Sequence, residues 1–108
     1  METYQLPTLL EQRQKSGQLY LEFLRHESMS LGLYVLPGGG VDPQSPHAED
    51  EAYYIIAGRG QIRVAGEDRP VGPGDTVFVA KGVEHRFHRI ETELTILVFF
   101  APAEGSTN

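Results

Sequence analysis

Cysteine is absent from the 108 residues, so disulfides and thiolate ligands are both excluded, and any bound metal must be held through nitrogen and oxygen. Basic residues are scarce. Nine Lys and Arg stand against fifteen Asp and Glu, giving a net charge of −6 and a pI of about 5.1. Binding along a phosphate backbone needs clustered cations, so no nucleic-acid partner is expected. Long apolar runs are missing too. No stretch approaches the roughly 18 to 20 apolar residues of a membrane-spanning helix, and the first twenty residues lack the continuous apolar segment of a secretory signal. These absences lead to the expectation of a soluble, cytoplasmic protein with no membrane partner.

Turn formers, by contrast, are plentiful: twelve Gly and seven Pro in a chain long enough for a single core. Leu6 to Ser16 reads as a short helix, with Pro7 in the first turn and Gly17 as its stop. Gln18 to Arg25 and Met29 to Leu36 read as a hairpin, broken at its far end by Pro37-Gly38-Gly39-Gly40. Further short strands are predicted at 52–57, 61–64, 69–71, 76–79, 85–90 and 94–100, and 101–108 reads as a loose tail. Strands recurring every eight to twelve residues, without a repeat, indicate one all-β domain, a sandwich or barrel.

Two glycine-bounded segments carry the side chains with metal chemistry. The first, Gly38 to Gly60, sets His47, Glu49 and Glu51 ahead of the strand at 52–57; the second, Gly74 to Arg89, contains His85. An imidazole and a carboxylate four residues apart do not complete a site, and His85 is the candidate third donor. The plainer alternatives are that Glu49-Asp50-Glu51 is a solvated acidic loop and that the histidines lie on the surface. Strand alternation puts Glu51, Tyr53 and Ile55 on one face, with Tyr54 on the other. It likewise groups His85, Phe87 and Arg89, leaving His88 outside. Tyr53 is then either a pocket wall or a packing residue, and Arg89 either an anion-holding group or half of an ion pair. His26, in the hairpin turn, is given no role.

The two segments resemble the two motifs of the cupin family, small jelly-roll β-barrels. Gly39, five residues, Ser45, one residue, His47, three residues, Glu51, six residues and Gly58 occupy the first motif's frame, with Ser45 where the family has its first His. Gly74, Ala80, Gly82, His85 and Arg89 occupy the second, Ala80 standing for Pro and Arg89 for Asn. The resemblance implies a double-stranded β-helix (jelly-roll) barrel and metal-ligand roles for His47, Glu51 and His85, with Glu49 the substitute if a bulge shifts the loop. It does not carry a ligand role to Ser45.

Two imidazoles and one carboxylate suit a divalent transition metal such as Fe, Mn, Ni or Zn. As an enzyme, a cupin of this kind acts as a dioxygenase, isomerase or decarboxylase, with Ser45, Tyr53 or Arg89 contacting the small-molecule substrate. The alternative is a ligand-binding barrel with no metal and no chemistry. A homodimer covering the apolar edges at Leu19–Leu24 and Leu94–Phe100 is also expected.

Overall fold

The computed structural model describes residues 1–106, with one helix and six strands: α1 (Leu6–Ser16), β1 (Tyr20–His26), β2 (Met29–Leu36), β3 (Asp50–Val64), β4 (Glu67–Val71), β5 (Thr76–Val79) and β6 (His85–Ala101). β1 and β2 form the expected antiparallel hairpin, from Tyr20 opposite Tyr34 to His26 opposite Met29. The remainder is built on two long strands where four short ones were expected. β3 joins the predicted strands 52–57 and 61–64, and β6 joins 85–90 to 94–100 through the polar Glu91–Glu93. The sheet order is β1-β2-β6-β3-β4, with β5 also paired to β3.

The expected breaks are bends, because β3 and β6 go on pairing through them. Gly58 lies where a Cβ would come 2.1 Å from the carbonyl oxygen of Glu93. Only glycine, here at φ 91°, permits that approach, and it lets the two strands curve together over one core. The result is an antiparallel jelly-roll barrel. Its interior is filled by Tyr34, Leu36, Tyr53, Ile55, Phe87, Ile96, Val98 and Phe100 among others. Each such side chain contributes about 1.5–3 kcal/mol by burial. α1 ends at Gly17 and packs on β1 and β2 from outside, burying Leu9. Among the described residues no helix is long and apolar enough to cross a membrane.

Two expectations are overturned. Strict alternation put Arg89 on the inner face with His85 and Phe87, but Arg89 is exposed and Ile90 is buried in its stead. The reason is a bulge. Gln61 pairs with His88 and Arg59 with Thr92, so β6 carries extra residues there, and Arg89 takes φ 46° in the left-handed region. The C-terminal segment is docked, as far as it is described. β6 runs to Ala101 and Ala103 is buried, while Glu104 N–H donates to Ser30 Oγ (2.9 Å) and Gly105 N–H to Glu49 Oε1 (3.2 Å). Ser30 and Glu49 are buried polar side chains, and the returning backbone donates to Ser30 Oγ and to one of the two Glu49 oxygens; Glu49 Oε2 is without a hydrogen-bond partner among the described residues. Thr107 and Asn108, part of the same expectation, lie outside the described residues.

Candidate metal centre

The loop 37–49 between β2 and β3 is held by backbone bonds from Gly39 N–H to the Ile90 carbonyl (2.8 Å) and from Gly82 N–H to the His47 carbonyl (2.7 Å), and by one buried carboxylate. Asp42 Oδ1 accepts from Tyr34 OH (2.6 Å) and from Gln44 N–H (3.2 Å). Its Oδ2 accepts from Gln44 Nε2 (2.7 Å) and from the backbone N–H of Phe87 (2.9 Å). Hairpin, loop and β6 thus share an anchor. Because Nε2 of Gln44 is engaged by Asp42, its Oε1 turns the other way, accepting from Tyr53 OH at 2.9 Å and lying 3.4 Å from His47 Nε2.

Alternation along β3 sends Glu51 inward, β6 begins with His85 inward, and the anchored loop presents His47. One donor atom from each lies within 4.8 Å of the others. His85 Nδ1 is 2.9 Å from the carbonyl oxygen of Val83, which can only accept, so Nδ1 carries the proton and Nε2 is left to face Glu51. Nε2 is 3.0 Å from Glu51 Oε1, yet off the direction of a hydrogen bond. Among the described residues, His85 Nε2 and both carboxylate oxygens of Glu51 are buried without a hydrogen-bond partner. Leaving such atoms unsatisfied costs about 1–3 kcal/mol each. A cation at their focus satisfies all three, and the His₂Glu donor set fits a divalent transition metal with open positions for water or ligand. Burial disfavours the charged form of His85, but the Glu51 carboxylate and the Val83 carbonyl outweigh it and raise its pKa. The field at Nε2 is therefore one that attracts positive charge.

A cavity of about 520 Å³ adjoins the triad, lined by His47, Glu51, Gln44, Ser45, Tyr20, Tyr34, Phe100 and Glu104 among others. The Tyr20 ring lies over Gly32, where a Cβ would sit 2.1 Å from Tyr20 Cζ, and edge-on to Tyr34 and Phe100. Its hydroxyl is buried and unpartnered among the described residues. Burial, reinforced by the carboxylates of Glu104, Glu22 and Glu51, raises the Tyr20 pKa far above the usual phenol value, so the hydroxyl stays a neutral donor. Glu104 Oε2 lies 3.5 Å from His47 Nδ1. Burial raises the Glu104 pKa; His47 opposes the shift, and Glu51, Glu22 and Glu49 add to it.

Of the two acidic candidates, Glu51 joins the histidines and Glu49 does not. Glu49 is buried toward the C-terminal segment through Gly105. Ser45 is exposed at the cavity rim. Tyr53 points inward but is fully buried and is no pocket wall. Its hydroxyl positions Gln44, its ring packs edge-on to Phe87, and burial holds its pKa far above normal. Arg89, displaced by the bulge, does not line the cavity. His88 pairs with Asp68 on the outside at 2.8 Å, and His26 contacts Glu2. Sequence reasoning missed Asp42, Gln44, Tyr20 and Glu104. The available signal was Gly32, a glycine inside an apolar strand, which marks a close approach; nothing local marked Glu104.

A family model for the cupin domain matches residues 32–100. The chain is 43% identical over 105 residues to an uncharacterised protein of Streptomyces coelicolor, covering 97% of this chain and 100% of that one. It is 34% identical over 76 residues to the dimethylsulfoniopropionate lyase DddQ of Ruegeria pomeroyi, covering 68% of this chain but only 38% of the lyase. The crystal structure of that lyase superposes with a TM-score of 0.66 at 28% identity, over 70% of this chain and 39% of the other. The TT1209 protein of Thermus thermophilus superposes with a TM-score of 0.75 over 95% of this chain and 99% of that one; at 24% identity this likeness concerns the fold alone.

Proposed function

This chain belongs to the cupin family, and on that premise we propose that it is a metal-dependent protein acting on a small molecule in the barrel, with His47, Glu51 and His85 as the metal-holding residues. The observation that carries this reading is the convergence of three buried, unpartnered atoms, His85 Nε2 and the two Glu51 oxygens, beside a cavity of about 520 Å³. A divalent metal bound there supplies Lewis acidity, polarising a ligand oxygen or acidifying water. The remaining work is done by the chain. The Val83 carbonyl fixes the tautomer of His85. Asp42 and Tyr53 hold the Gln44 amide with its oxygen toward His47. Val98 and Phe100 give the cavity an apolar wall that limits water, and Tyr20, whose hydroxyl is buried, lines it beside them. The likeness to dimethylsulfoniopropionate lyase supports an enzyme and makes lyase chemistry the first class to assay.

A second reading, ligand capture with no metal and no turnover, draws on Ser45 in the place of the family's first motif His. Metal analysis separates the two. The protein as purified, or after reconstitution with Fe(II), Mn(II), Ni(II) or Zn(II), should hold near-stoichiometric metal. His47→Ala and His85→Ala should each weaken retention by more than about 100-fold, beyond what losing an outer-shell partner costs. Wild-type protein that binds none of the four metals ends the metal-dependent reading.

A further inference from the structure

The orientation of the Gln44 amide is fixed from outside the triad. Its Nε2 donates to Asp42 Oδ2 at 2.7 Å, and a carboxylate can only accept, so the nitrogen and oxygen ends are not interchangeable. Oε1 accepts from Tyr53 OH at 2.9 Å, which uses one of its two lone pairs. The other faces His47 Nε2 at 3.4 Å. On the far side of that ring, Nδ1 lies 3.5 Å from Glu104 Oε2. A neutral imidazole has one proton for these two oxygens: on Nε2 it leaves Nδ1 bare against the carboxylate, and on Nδ1 it leaves Nε2 bare against the amide oxygen. An imidazolium answers both contacts, yet it does nothing for the unpartnered His85 Nε2 and Glu51 oxygens.

From this arrangement we propose that Gln44 Oε1 is a fourth metal donor, beside His47, Glu51 and His85. The two histidines are then set alike. Each turns Nδ1 to an outer oxygen, that of Glu104 or of the Val83 carbonyl, and Nε2 to an inner one, Gln44 Oε1 at 3.4 Å or Glu51 Oε1 at 3.0 Å. Ligands held about 2.1 Å from one ion stand about 3.0 to 3.4 Å apart, so both inner contacts have the spacing of two ligands on one ion. Gln44 is half-buried and lines the cavity, whereas the neighbouring Ser45 is exposed. An amide oxygen is a neutral donor that adds to the coordination without cancelling charge, and Asp42 and Tyr53 hold this one in place. The inference rests on the reading of His47, Glu51 and His85 as metal-holding residues.

Losing an outer-shell partner can itself weaken a metal about 10- to 100-fold, so affinity alone does not identify a ligand. The test therefore counts water. Mn(II) is titrated into wild type and Gln44→Leu, and water-proton relaxation at saturation gives the number of waters on the ion. Gln44→Leu should bind about tenfold or more weakly and hold one more water, which takes the vacated position. In the Zn(II) form of the same variant, imidazole ¹⁵N shifts should show His47 still bound through Nε2. Should Gln44→Leu not fold, Gln44→Ala replaces it in both measurements. An unchanged water count overturns the proposal and leaves the triad as a metal site. An extra water gained together with loss of His47 coordination also overturns it, since Gln44 then acts only by positioning His47. Wild-type protein that binds neither Mn(II), Fe(II), Ni(II) nor Zn(II) removes the metal reading and this inference with it.

Discussion

Replacing Asp42 with Ala should be the most damaging single polar change in this protein. The carboxylate is 5% exposed and receives Tyr34 OH, the Phe87 N–H and two donors of Gln44. Its truncation leaves the Tyr34 hydroxyl and the Phe87 amide buried without an acceptor, at about 1–3 kcal/mol each. The Gln44 donors lie nearer the cavity, where water can replace part of what they lose. The expected sum is about 3–5 kcal/mol, out of a total stability on the order of 5–15 kcal/mol. For a domain of this size that lowers Tm by about 15–25 °C. Urea and thermal melts followed by circular dichroism read both quantities. Tyr34→Phe removes one donor and leaves Asp42 its other three, so it should cost only about 1 kcal/mol. Asp42→Asn should fall between, since the amide turns a donor toward donors that the carboxylate accepted. If Asp42→Ala lies within about 0.5 kcal/mol of wild type, the four contacts are not holding the loop and the account of how His47 is presented collapses.

Gly32→Ala would thrust a methyl group to within 2.1 Å of Tyr20 Cζ, forcing the ring into the cavity at a cost of about 1–3 kcal/mol; combining it with Tyr20→Leu should recover most of that, and no recovery would remove the clash as the cause. Asp68 is held down to about 2, from an ordinary value of 3.8, chiefly by the hydrogen bond from Arg63; desolvation opposes this, and the His88 hydrogen bond and the charges of Arg63 and His88 add to it. A depressed carboxylate pKa stabilises the folded state above the unfolded value, and that contribution is lost as pH falls through the folded one. The difference in Tm between wild type and Asp68→Asn should therefore shrink as pH drops from 3.8 toward 2, and a constant difference across that window would contradict the assignment. β6 lies inside the sheet between β2 and β3, with Leu94, Ile96, Val98 and Phe100 in the core, so Leu94–Phe100 is not the edge that was expected. For the homodimer we propose instead a row across four strands, Leu31, Phe99, Ala52 and the 65% exposed Phe78. Light scattering should give twice the 12.0 kDa of one chain, falling on Phe78→Ser; one-chain mass in wild type disposes of it.

Local pattern and spacing, read in the sequence alone, determined the class of fold, the helix at Leu6–Ser16, the first hairpin and which faces of β3 and β6 turn inward near their starts. Those properties follow from side-chain alternation and glycine-bounded turns, which act over a few residues and are legible there. The motif frame also named His47, Glu51 and His85 as the residues to bring together. Where chain pairing decided the outcome, the sequence misled. Gly58 and Glu93, thirty-five positions apart, made two long bent strands of four short ones, and the bulge at Arg89 turned its guanidinium away from the cavity. Only the tertiary structure supplied Asp42 as anchor, Gln44 and Tyr53 as its relay, Tyr20 over Gly32, and the return of the C-terminal segment that carries Glu104 to His47. Each of these depends on burial and on contacts between distant segments, and a group's need for a buried partner leaves no periodic mark in the chain that bears it.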